Sequence, residues 1–180
     1  MCIRDSACGE AFDKVGKLLN LDYPGGPKVS KLAAGGDSAR FNFPRALMKD
    51  RNLNFSFSGL KTAVLYALED LEEKDYPDVA ASFQEAVVDV LIKKLAYAIE
   101  QTGIKKLVCS GGVAANSLLR ERLTDMGKTS ELEVSYPKME FCTDNAAMIA
   151  YAGFIRKKYN LKEYPTKFAR PRWPLGELYD

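Results

Sequence analysis

With 180 residues, 47% hydrophobic and 28% charged, the chain has the composition of a globular protein able to bury a substantial core in one or two domains. Its net charge of +2 is too small to argue for a nucleic-acid partner, and no run of about 18 apolar residues is present to form a membrane span. No histidine occurs anywhere, so this chain supplies neither a histidine general base nor a histidine metal ligand.

The opening MCIRDS lacks the apolar stretch of a secretory signal, and the cytoplasm is the expected location. Next, GEAFDKVGKLLNL (9–21) carries Phe12, Val15, Leu18 and Leu19 at helical spacing, and DYPGGP (22–27) reads as a turn. RFNFP (40–44) is a candidate short strand. Residues 52–73 alternate through Phe55 and Phe57, then switch at Ser58-Gly59 to a helical period through Leu60, Val64, Leu68 and Leu71. Pro77 opens a long helix with Val79, Phe83, Val87, Val90, Leu91, Leu95 and Ile99 inward, and Gly103 stops it. A strand at 104–109, a helix at 114–126, a strand near 134–136 and a helix at 143–159 complete the pattern. Strands alternating with helices predict a parallel α/β sheet. Beyond Tyr159 the Pro- and Arg-rich tail KFARPRWPLGELYD reads as extended. From Arg156 to Arg172 seven Lys/Arg face one acid, either a solvated surface or a phosphate-contacting one.

Ligands of open α/β sheets sit beyond the carboxyl ends of the strands. Two loops therefore stand out, 109–116 and 141–145, and both are expected at one rim facing a common cleft. In KLVCSGGVAANSLLRERL, Gly111 and Gly112 let the backbone take positive φ and let a ligand approach closely. The helix that follows offers free N–H groups. The plain alternative is a tight strand–helix turn with Asn116 as N-cap. In EFCTDNAAMIAYAG, Thr143 or Asp144 is a helix N-cap, or Asp144 offers a carboxylate to a metal ion with Asn145 in support. Asp13 is either an exposed helix charge or an acceptor for ribose hydroxyls; Lys61 is a surface lysine or a phosphate contact. Cys2, Cys8, Cys109 and Cys142 show no CxxC spacing and indicate neither a disulfide framework nor a zinc site, and Cys109 and Cys142 read as small buried thiols.

Taken together, GEAFDKVGKLL with YPGGP, NFSFSGLKTAV, SGGVAANSLLRERL, FCTDNAAMIAYAG and RPRWPL occur in an order and spacing that closely resemble the bacterial TsaD family, over residues 7 to 176. These are the tRNA N6-adenosine threonylcarbamoyltransferases, once labelled O-sialoglycoprotein endopeptidases. The resemblance implies an α/β fold like that of actin, Hsp70 and the sugar kinases, with a mostly parallel sheet. It implies transfer of threonylcarbamoyl from threonylcarbamoyl-adenylate to N6 of adenosine 37 in tRNAs reading ANN codons. An iron or zinc ion, tRNA, and TsaB-like and TsaE-like partner proteins come with it. By motif, the substrate-binding positions are Asp13, Gly26, Gly111, Gly112 and Asn116, and the metal-binding position is Asp144.

The departures set further expectations. The family's amino-terminal lobe, with its His-x-x-x-His pair and serine-glycine-glycine phosphate loop, has no counterpart here. Residues 1–6 are expected to be a foreign leader, 7–160 the second lobe and 161–180 an extended tail. Ser30 stands where some members carry an acid and is not counted as a ligand. On this reading the chain is a truncated transferase, inactive alone; the alternative is a noncatalytic lobe that binds nucleotide or partner proteins. A metallopeptidase would need an HExxH-like pair, which the chain lacks.

Overall fold

Phe12, Val15 and Leu19 recur at the spacing of one helical face, and the computed structural model, which describes residues 7–161, forms there the helix α1 (Cys8–Leu18) with that face buried. The turn expected over 22–27 is shorter than its composition suggests. Helix α2 (Gly25–Ala33) begins inside it, and Pro27 falls in the first helical turn, where its missing N–H costs no hydrogen bond. The two helices cross almost backbone to backbone. A Cβ built on Gly25 would lie 2.8 Å from Cα of Asp13, and one on Gly16 would lie 2.9 Å from Cα of Gly25. The glycines that read as turn residues are thus required by packing.

The candidate strand at 40–44 does not form, and the alternation through Phe55 and Phe57 is not a strand either. Phe41 and Phe43 stack at 5.9 Å, Phe55 and Phe57 at 6.3 Å, and Phe43 and Phe57 are buried against helices. Among the described residues no neighbouring strand offers either segment a ladder, so alternation here marks an extended chain lying on a helical surface. The backbone N–H of Phe41 donates instead to Oγ of Ser82 (3.2 Å).

Helix α3 (Ser58–Leu68) follows, then a 3-10 turn (Glu73–Asp75) whose Asp75 carboxylate accepts from the N–H of Glu72, and the central helix α4 (Tyr76–Thr102). Gly103, at φ 67°, ends α4 with its N–H on the carbonyl of Ile99, as its sequence position predicts. Val79, Phe83, Val87 and Val90 are buried in the main core with α1, α2 and α3. Leu91, Leu95 and Ile99 are only partly buried.

Strand β1 (Lys106–Val108) pairs in parallel with β2 (Glu133–Ser135), Leu107 opposite Val134, and helix α5 (Ser117–Ser130) makes the crossover. The sheet rests on a second cluster built around Val88, Leu119 and Leu123. The chain divides into two compact units, Met1–Thr143 and Asp144–Asp180. Of the second, the described part is chiefly helix α6 (Ala146–Lys158), which leaves Ile149, Tyr151 and Phe154 exposed. The expected leader, the tail motif RPRWPL and the basic positions from Lys162 onward lie outside the described residues.

Candidate functional site

The strand-to-helix handover is the first element of the site. After β1 the backbone turns at Gly111 with φ 87°, a conformation that carries a Cβ only under strain, then runs through a 3-10 turn (Gly112–Ala115) into α5. Space beside the Cα of both Gly111 and Gly112 is open to beyond 4 Å. Asn116 caps α5, its Oδ1 accepting from the N–H of Leu119 at 3.0 Å. Its Nδ2 donates to Oε1 of Gln84 (2.7 Å) and to Oγ of Ser30 (2.8 Å). The amide is therefore a cap and a buried cross-link at once.

A second element is the junction of α1 with α2. Asp13 Oδ1 accepts from the N–H of Gly25 at 2.9 Å, placing a carboxylate at the positive end of α2. A groove of about 320 Å³ opens there, lined by Asp13, Lys14, Lys17, Leu21, Tyr23 and Gly25 among others, a size in the lower range of small-ligand sites. A smaller recess of about 90 Å³ lies between α1 and the start of α3, with Lys14, Ser58 and Lys61 on its wall.

Helix α2 links these elements. Gly26 and Ser30 are one helical turn apart and share a face, so the junction that holds Asp13 and the amide of Asn116 are spanned by four residues of one helix. The structure thus groups Asp13, Gly26 and Asn116 around α2, with Gly111 and Gly112 on the turn leading to Asn116. Asp144 is apart from this group in the chain: it is exposed and opens the second unit. The expected cap by Thr143 or Asp144 is corrected. Asn145 caps α6, accepting from the N–H of Met148 at 2.9 Å, because its extended backbone aims Oδ1 back at the third helical amide.

Among the described residues no group of three or more His, Cys, Asp or Glu converges. Asp144 alone does not make a metal centre.

Three residues of this region carry little signal in the sequence. Gln84 looks like one more polar position on an amphipathic helix, and Ser30 like one more small polar residue of α2. Arg120 looks like a surface charge of α5, yet its Nε donates to the carbonyl of Ala114 (2.5 Å) and its Nη2 to the carbonyl of Pro137 (3.2 Å) and to Sγ of Cys142 (3.3 Å). Its guanidinium also lies 4.8 Å from the ring centre of Tyr136. It ties the loop after β1 to the loop after β2. Only the unbroken polar run RER in an otherwise amphipathic helix hints at it. Cys142 is buried as expected, whereas Cys109 is half-buried, with burial pushing its thiol pKa up.

These features define the class: an α/β lobe with a parallel strand–helix–strand unit and a glycine turn at the carboxyl end of a strand. The family model for TsaD, tRNA N6-adenosine threonylcarbamoyltransferase, matches residues 2–151, and the chain belongs to that family, whose fold is actin-like. It is accordingly a member of a transferase family that modifies tRNA. Among the described residues, no helix is long and apolar enough to cross a membrane.

Proposed function

We propose that the chain carries the adenylate-binding lobe of an enzyme that moves threonylcarbamoyl from threonylcarbamoyl-adenylate to N6 of adenosine 37 in tRNAs reading ANN codons. Family membership over residues 2–151 carries the reading. The grouping of Asp13, Gly26 and Asn116 around one helix supports it. In this reading the exocyclic amine attacks the carbamoyl carbonyl carbon. The C–O bond to the phosphate breaks, AMP leaves, and the amine gives up one proton. That chemistry asks for alignment of two bound reactants more than for a protein nucleophile.

The roles assigned to this chain are to bind and orient. The Asp13 carboxylate keeps one oxygen on Gly25 and turns the other to ribose hydroxyls. The open side of Gly111 and Gly112 lets the adenosine lie against the backbone, and Asn116 contacts it. The proposal also includes tRNA and TsaB-like and TsaE-like proteins as partners. Asp144 is proposed to offer a carboxylate to an iron or zinc ion. The test is incorporation of labelled threonine into tRNA by the native full-length polypeptide with its partners. Incorporation should need adenosine at position 37 and fall at least about tenfold in Asp13→Ala, as loss of a charged hydrogen bond predicts. Incorporation that ignores the base at position 37 would refute the reading.

A further inference from the structure

Asn116 is held by a closed set of hydrogen bonds that leaves its amide one orientation. Nδ2 donates to Gln84 Oε1 and Ser30 Oγ, and the Ser30 hydroxyl itself donates to Gln84 Oε1 at 2.7 Å. Gln84 Oε1 therefore receives two donors. Flipping the Asn116 amide would set its NH2 against the N–H of Leu119 and its oxygen against that of Gln84, breaking its bonds to both. The three side chains come from α2, α4 and the entrance of α5, and Asn116 and Gln84 are only 8% and 7% exposed. Water does not readily substitute for a partner lost in such a place.

The orientation has a chemical consequence. Both amide hydrogens are committed inward, and Oδ1 has spent one of its two lone pairs on Leu119. What Asn116 has left for a ligand is one acceptor position and no donor. A phosphate or carboxylate oxygen gains nothing there, whereas an amine or a hydroxyl does.

We propose that Ser30 and Gln84 are positioning residues that lock the Asn116 amide as an acceptor, so that the site selects a nucleoside through one of its donor groups, the base amine or a ribose hydroxyl. The inference rests on the reading of this region as an adenosine site, and it adds the polarity of the contact and the two residues that set it.

The test uses the full native polypeptide, side-chain amide NMR, and AMP as the probe. In the wild type the Asn116 amide hydrogens should exchange at least about tenfold more slowly than those of exposed Asn20, because both are bonded in a buried set. Gln84→Leu should abolish that protection and weaken AMP binding by about fivefold or more, the loss of one hydrogen bond's worth of positioning. Gln84→Glu keeps an acceptor oxygen before both donors and should stay within about twofold in both measurements. Ser30→Ala removes a single partner and serves if Gln84→Leu does not fold.

Polarity is read from IMP and 2′-deoxy-AMP, which lack the amine and one hydroxyl. At least one should bind the wild type about tenfold worse than AMP, and the gap should narrow in Gln84→Leu and Ser30→Ala. A merely structural role would lower stability in these variants and leave the ratios unchanged, which would overturn the proposal. An unprotected Asn116 amide in the wild type would overturn the lock itself. Protected amide hydrogens in a protein that does not bind AMP would refute the adenosine reading and donor selection with it, while upholding the lock.

Discussion

Replacing Lys94 by methionine tests how the loop ahead of the FSFSG stretch is held. Lys94 is 1% exposed, yet no carboxylate pairs with it in the hydrogen bonds it makes. Its Nζ donates to the carbonyls of Asp50 and Asn52, both at 2.8 Å, and to Oδ1 of Asn52 at 3.2 Å. All three ammonium hydrogens are used. Hydrogen bonds from a charged donor contribute about 1.5–3 kcal/mol each, and burying the ion takes back several kcal/mol. Methionine keeps the stem packed and leaves three acceptors on residues exposed enough to be rehydrated. The expected net loss is roughly 2–3 kcal/mol. Urea unfolding should show a lower midpoint at unchanged slope. Hydrogen exchange should quicken over residues 49–54 but not over 111–116, which α4 holds through Gln84 instead. A loss below about 0.5 kcal/mol would mean that the ammonium contributes no more than its desolvation removes, and the argument would fail.

Gly25→Ala places a methyl 2.8 Å from Cα of Asp13 and 2.9 Å from the carbonyl oxygen of Phe12, both backbone atoms. It should cost about 2–3 kcal/mol, read as a lowered melting temperature, and should weaken any ligand of the adjoining groove. The Arg40 guanidinium, bonded at 2.7 Å to Asp75 and to Asp78, holds both carboxyls below their ordinary pKa, with help from the N–H groups of Glu72 and Asp37. A lowered carboxyl pKa stabilises the fold above the ordinary value and loses that stabilisation as pH falls through the lowered one. Stability should therefore drop on acidification below about pH 4, and Arg40→Gln should flatten that part of the profile in pH-dependent melting. Asn145→Ala removes the cap of α6 and should cost about 1 kcal/mol of local stability, whereas Asp144→Ala should stay within about 0.5 kcal/mol. Amide exchange at Met148 and its neighbours would distinguish the two, and equal effects would contradict the cap assignment.

Local chemistry sufficed for much of this protein. Helical periodicity located α1, α3, α4 and α5, because a buried face recurring every 3.6 residues leaves its mark whatever it packs against. Gly103 as a stop, and positive φ at Gly111, followed from the one residue type that takes those backbone angles freely. Collinear motifs carried the family. Other features depended on what comes together in space. Phe41 and Phe55 lie on alternating segments that found helices rather than strands as neighbours. PGGP entered a helix because Asp13, twelve residues before Gly25, satisfies its first amide and because Gly16 allows the close crossing. Gln84 looks like any polar residue on α4, and its role appears only where Asn116, 32 residues later, and Ser30, 54 residues earlier, each bring one hydrogen to its buried oxygen. A hydrogen bond between distant residues leaves no period in a sequence, and the unsatisfied atom it prevents exists only in the folded chain.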